Sequence, residues 1–168
     1  GSTCAFAAAL LRRAGLRTGL YVSPHLSHLL ERIEIGGAPI APEAFARLLG
    51  SLADASEACP EGELASFFDL MTLAAFLACR DAKVDAAVVE VGMGGRLDST
   101  NIVLPEATAI TSISFDHEKA LGRSLPAIGR EKAGIAKAGR ALVLGLEPDH
   151  PAFDAIAARA AEVGAPLR

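Results

Sequence analysis

Cysteine is scarce: the 168-residue sequence has three, Cys4, Cys59 and Cys79. Their odd number and lack of metal-ligand spacing argue against a disulfide framework and against a cysteine-bound zinc. Cys4 and Cys79 fall in apolar, helix-like segments, where thiols are buried in a reducing compartment. Positive charge is limited too. Sixteen Lys and Arg against 20 Asp and Glu leave a net charge of −4, whereas a nucleic-acid partner requires a basic surface. No apolar run approaches the ~20 residues of a membrane span, because Asp69 and Arg80 interrupt the longest apolar region. The N-terminus has no basic stretch before its apolar run, so no secretory signal is expected. Repeats, linkers and low-complexity tracts are missing as well. These absences point to the cytoplasm, with neither nucleic acid nor membrane as partner.

What is present is apolar mass in regular alternation. With 51% apolar and 21% charged residues, the chain is not a disordered one. Its length suits one domain that buries roughly 70% of its unfolded surface. Strand-like runs are expected at Arg17 to Val22, Glu31 to Ile35, Ala86 to Val91, Ala107 to Ile113 and Ala141 to Leu144. The third and fourth of these are continuously apolar, as in strands covered on both faces. Helices are expected over Cys4 to Gly15, Glu43 to Ala58, Ser66 to Asp81, Ser124 to Lys137 and Pro151 to Val163. Pro42 suits a first helical turn, Ser66 with Asp69 forms a capping-box-like start, and Gly15 suits a C-cap. Cys59-Pro60-Glu61-Gly62 reads as a loop, and Gly164 to Arg168 as the start of a further strand. The pattern is α/β, a mostly parallel sheet flanked by helices and cut at both ends.

Chemistry concentrates where strands end. Ala86 to Val89 delivers Glu90 into the glycine-rich turn Val91-Gly92-Met93-Gly94-Gly95, followed by Arg96, Asp98 and Asn101. A carboxylate at the end of a buried strand needs a cation or several donors to offset its desolvation. Ligands of open α/β sheets bind at the carboxyl ends of the strands, and glycines there let backbone N–H groups approach an anion. Ser23, held extended before Pro24, His117, flanked by Asp116 and Glu118, and Lys132 are the other polar groups at such positions. Each alone reads equally as a cap, a surface histidine or a solvated charge. Together with Glu90 they offer oxygen and nitrogen ligands that suit Mg²⁺ or Mn²⁺ better than zinc. Ser66-Phe67-Phe68-Asp69 places two rings and an acid at a helix start, for core packing or for stacking on a flat heterocycle. Arg32 offers a cation to a substrate carboxylate or to Glu34. The opening Gly1-Ser2-Thr3 reads either as helix N-caps or as the tail of a phosphate loop.

Taken together, Gly1-Ser2-Thr3, Tyr21-Val22-Ser23-Pro24-His25-Leu26, Glu31-Arg32-Ile33, Glu90 to Asn101, and Phe115-Asp116-His117 with Arg130 to Ile135 resemble the folylpolyglutamate synthase and dihydrofolate synthase family of the Mur ligase superfamily. The resemblance implies a P-loop-type, Mur ligase central-domain-like fold. Residues 1–168 would form part of its ATP-binding domain, without the upstream phosphate-loop strand and the C-terminal domain, and so be inactive alone. It implies ATP and Mg²⁺ as cofactors, a folate or dihydropteroate and L-glutamate as substrates, and a monomer. Gly1, Ser2 and Thr3 would end the ATP phosphate loop. Ser23, Glu90 and His117 would bind metal, joined by Lys132 if its amine is carboxylated; Glu90, His117 and Lys132 would be catalytic. Ser66, Phe67, Phe68, Asp69, Leu97, Asp98 and Ser99 would contact the pterin substrate. The expected reaction is amide formation through an acyl phosphate. Another Mur-type amino-acid ligase and a non-catalytic nucleotide- or metal-binding module are the rival readings.

Overall fold

The computed structural model describes residues 1–57, 65–116 and 121–168. The expected loop at Cys59 to Gly62 and the candidate ligand His117 lie outside the described residues. Two compact units are present, Gly1–Gly92 and Met93–Arg168.

The first unit is built on a sheet with strand order β3-β2-β1-β4. Helix α1 (Ser2–Arg13) leads into β1 (Thr18–Tyr21), and a 3-10 turn (Leu29–Arg32) into β2 (Ile33–Ile35). Glu31 and Arg32, expected within a strand, belong to that turn. Gly36 and Gly37, at φ +65° and +88°, close a hairpin onto β3 (Ala38–Pro39). Two successive left-handed residues favour glycine. Helices α2 (Pro42–Glu57) and α3 (Phe67–Asp81) follow, then β4 (Ala86–Val89). β4 runs parallel to β1, from Thr18↔Ala86 to Tyr21↔Val89, while β2 is antiparallel to β1. β1 lies between β2 and β4 and is buried at all four positions. β4 is less covered than expected: it is an edge strand among the described residues, and Ala87 is exposed. Tyr21, Ile33, Phe45, Met71, Ala74 and Ala75 form the core. Small side chains let α3 lie close to the sheet; a Cβ on Gly19 would come within 2.4 Å of the Cys79 sulfur.

α3 begins as its sequence demands. Ser66 Oγ accepts from the Asp69 N–H at 3.1 Å and the Asp69 carboxylate accepts from the Ser66 N–H at 2.8 Å, satisfying two amides that a bare helix start leaves unpaired. α1 corrects an expectation. Its N-cap is Gly1, with no side-chain cap bond, and Ser2 and Thr3 are helical.

In the second unit β5 (Ala107–Ile110) and β6 (Ala141–Leu144) pair in parallel. α4 (Leu125–Lys132) and a 3-10 turn (Ala133–Ile135) lie between them, and α5 (Phe153–Val163) follows. The single helix expected to Lys137 thus ends at Lys132. Ala107 and Ala109 are exposed, so β5 is not covered on both faces. Leu142 also bridges Leu167 in parallel, which bears out the strand expected near the C-terminus. Gly164, at φ +71°, caps α5. Ile128, Leu142, Ala152 and Ile156 are fully buried. Helices α4 and α5 approach closely at Gly129, where a Cβ would sit 2.9 Å from the Ala152 Cβ. The architecture is α/β, with β1/β4, β5/β6 and the Leu142/Leu167 bridge parallel and the β1–β2–β3 edge antiparallel. No described helix is long and apolar enough to cross a membrane.

Candidate functional site

Ser23 and Glu90 meet at the carboxyl ends of the adjacent parallel strands β1 and β4. The chain leaves β1 at Tyr21, β4 ends at Val89, and the Glu90 N–H donates to the Tyr21 carbonyl at 2.8 Å. Strand pairing therefore brings the two residues to one edge. The Ser23 N–H donates to Glu90 Oε2 at 3.1 Å, and the Gly1 ammonium donates to Oε1. The Glu90 side chain is 20% exposed, and the Ser23 N–H is one of the donors that its desolvation calls for. The start of α1 thereby lies against the same carboxylate. Cys4, in the first turn of α1, has its thiol pushed up by burial and by Glu90, which disfavours the reactive thiolate.

A second group sits on the long connection from β1 to β2. Arg32, 9% exposed, donates from Nε to His25 Nδ1 at 3.0 Å. Its guanidinium carbon lies 5.5 Å from the centre of the Phe67 ring, within cation–π range. Arg32 makes no ion pair with Glu34 among the described residues. The two aromatics at the start of α3 divide the roles open to them. Phe68 packs 6.0 Å from the Tyr21 ring and fills the space that a Cβ on Gly92 would occupy, whereas Phe67 is 57% exposed. Ser66 and Asp69 are engaged in capping α3.

The Glu31 carboxylate was not singled out by the sequence, and it organises the loop. It accepts N–H groups from Leu26 at 3.0 Å and from Ser27 and His28 at 3.1 Å. These bonds, Ser27's first, hold its carboxyl below the usual range. An acid six residues after the Pro24-His25 pair was the available signal.

In the second unit the glycine-rich turn packs against protein. A Cβ on Gly95 would lie 2.7 Å from the Lys132 carbonyl, and one on Gly134 would lie 2.4 Å from the Arg96 Cβ. The Arg96 N–H donates to the Glu131 carbonyl at 3.0 Å, and its side chain pairs with the Glu131 carboxylate. Asn101 Nδ2 donates to the carbonyls of Arg96 and Gly134, each at 3.1 Å, and Lys137 donates to the Asn101 carbonyl at 2.8 Å. Asp98 caps the 3-10 turn Ser99–Ile102 through the Thr100 N–H and also accepts from the Met93 N–H. Leu97 is 80% exposed. Asn101, Glu131, Gly134 and Lys137 thus hold this turn in place. Lys132, expected inside a helix running to Lys137, is instead the last residue of α4, half-buried. Its ammonium has no partner among the described residues. No group of three or more potential metal ligands occurs among the described residues.

No family model matches the chain. It is 40% identical over 171 residues to the human protein named folylpolyglutamate synthase, mitochondrial, covering 99% of the chain. The match to the Bacillus subtilis dihydrofolate synthase/folylpolyglutamate synthase is 41% over 146 residues and 85% of the chain. Among solved structures, E. coli FolC in complex with DHPP and ADP superposes with a TM-score of 0.90 at 37% identity over 99% of the chain. The chain belongs to the folylpolyglutamate synthase and dihydrofolate synthase family. A further member of this family, solved with Mn, AMPPNP and L-glutamate bound, matches with a TM-score of 0.84 at 41% identity over 99% of the chain. The chain spans 29% of the human relative, 34% of the Bacillus relative and 39% of the FolC chain.

Proposed function

We propose that this chain is part of the ATP- and metal-binding domain of a ligase that joins L-glutamate to the carboxylate of a folate or dihydropteroate. The observation that carries the reading is the meeting of Ser23 and Glu90 beyond two adjacent parallel strands, where α/β sheets bind ligands. The family members solved with ADP or with AMPPNP, Mn and L-glutamate support the same assignment.

The oxygen donors Ser23 and Glu90 fit Mg²⁺ and would hold it; the family resemblance adds His117 and, as a carbamate, Lys132 to the ligands of the same ion. Bound there, the ion would supply charge neutralisation to the phosphates. A carbamate forms when the neutral Lys132 amine adds CO₂ and releases a proton. Gly1, Ser2 and Thr3, at the start of α1 beside Glu90, would face the ATP phosphates. The substrate carboxylate oxygen attacks the γ-phosphorus and ADP leaves, giving an acyl phosphate. The glutamate amine then attacks the acyl carbon, the amine gives up a proton, and phosphate departs. Positioning and electrostatics carry such a reaction, so no protein nucleophile is needed. Phe67, exposed beneath Arg32, suits stacking on the pterin, with Leu97 to Ser99 as further contacts. A cytoplasmic, monomeric protein is part of the same proposal.

Glutamate-dependent ADP release by the whole protein, with Mg²⁺ and ATP, tests the reading. Dihydropteroate, tetrahydrofolate and a muramoyl peptide precursor would be offered in parallel. Turnover with a pterin acceptor is the expected outcome; turnover with the muramoyl acceptor alone, or with none, would refute it.

A further inference from the structure

Arg32 is a buried cation without a protein anion among the described residues. Burying a guanidinium is costly unless its donors and its charge are answered. Two neighbours answer part of the demand. His25 Nδ1 takes the Nε proton at 3.0 Å, and the face of Phe67 lies under the guanidinium carbon at 5.5 Å. No buried side-chain nitrogen or oxygen of the described residues lacks a partner, so the two Nη groups, which have none, reach solvent. A guanidinium fixed at Nε and along one face presents its Nη pair in a set direction. That geometry fits bidentate capture of a carboxylate.

Arginine is always protonated at Nε, so His25 accepts this bond only through an unprotonated Nδ1, with its remaining proton on Nε2. His25 is itself placed by its surroundings. Pro24 precedes it, and the amides of the next three residues are bound by Glu31, which adjoins Arg32 in the chain. The loop from Ser23 to Arg32 is therefore closed at both ends of the His25–Arg32 contact.

We infer that His25 is a positioning residue for acceptor binding: it aims Arg32 so that both Nη groups meet a carboxylate of the pterin-bearing substrate. The inference rests on the folate-ligase reading above. The test is steady-state kinetics of the whole protein, with acceptor and ATP varied separately, for His25→Ala, His25→Asn, His25→Gln, Arg32→Ala and the double variant His25→Ala/Arg32→Ala. Loss of the bond raises the acceptor KM about tenfold in His25→Ala, the scale of one hydrogen bond to a charged group, and leaves the KM for ATP unchanged. Asn carries its amide oxygen where imidazole has Nδ1, so His25→Asn recovers most of the loss. Gln places its polar atoms one position further out and does not. In the Arg32→Ala background His25→Ala adds nothing, because nothing is left to aim.

An unchanged acceptor KM in His25→Ala, alongside a raised one in Arg32→Ala, overturns the inference and leaves the substrate reading intact. Equal losses toward ATP and acceptor, or a His25 effect that persists undiminished without Arg32, overturn it as well. An Arg32→Ala protein with normal acceptor KM refutes the substrate role of Arg32 itself. If His25→Ala fails to fold, the contrast between the Asn and Gln variants decides the matter.

Discussion

A single carboxylate, Glu31, holds three successive backbone amides. Hydrogen bonds to the charged form lower a carboxyl pKa, and that of Glu31 is lowered chiefly by Ser27 and then by Leu26. The sign of the linkage follows. A depressed folded-state pKa contributes stability above the unfolded value, ~4.3 for Glu, and that contribution is lost as pH falls through the folded value. Glu31→Gln should therefore unfold at a lower temperature than the wild type at pH 7. The two melting temperatures should converge as the pH drops below the ordinary carboxylate range. Thermal melts between pH 7 and pH 3 check this, and a gap that stays constant would show that shape rather than charge matters at position 31. At this scale the sequence was informative about residue type and poor about pairing. Arg32 was legible as a cation for an anionic group. His25 and Phe67 as its neighbours were not, because a loop and a helix distant in sequence bring them together.

Among the elements, local chemistry that closes within a few residues was readable in advance. Ser66 and Asp69 cap α3 as expected, whereas the Ser124 cap of α4 and the left-handed Gly164 that ends α5 were not singled out. The hairpin of β2 and β3 escaped notice because β3 is only Ala38–Pro39, residues with no strand signature. The docking of the Arg96 turn on the end of α4 escaped for another reason: it depends on Gly95 and Gly134 meeting backbone more than 30 positions away. Glycine signals permission for such an approach but does not name the partner. Gly134→Ala would bring its Cβ to 2.4 Å from the Arg96 Cβ and 2.5 Å from the Arg96 Cα, and backbone cannot rotate out of the way. Overpacking of this kind costs about 1–3 kcal/mol. Denaturant unfolding should show a lower midpoint of the expected size. Turnover should fall further than stability accounts for, since the Asn101 amide bonds that span Arg96 and Gly134 lie beside Lys132. A variant of wild-type stability would mean that the turn yields freely at this point.

For the whole molecule, ligand placement follows from strand order rather than from any one motif. β1 and β4 are 68 positions apart in register, Thr18 opposite Ala86, yet pairing in parallel sends both chains out at the same edge. Ser23 and Glu90 meet there for that reason alone. A metal held by such a pair gives Glu90 two tasks, charge for the ion and an acceptor for the Ser23 N–H. Glu90→Gln keeps an oxygen acceptor and the side-chain volume and removes the charge. The fold of the whole protein should therefore survive, with a melting temperature near that of the wild type. Mg²⁺ affinity should fall by at least the roughly 10–100-fold typical of a lost supporting contact in a metal site. Because the hard divalent ion prefers anionic oxygen, raising Mg²⁺ should recover part of the turnover. Titrating ADP release against Mg²⁺ separates the possibilities. A shifted midpoint with partial recovery is the result expected of a metal ligand. Near-normal turnover at the original Mg²⁺ concentration would remove Glu90 from the metal site, and with it the reason for placing that site at the ends of β1 and β4.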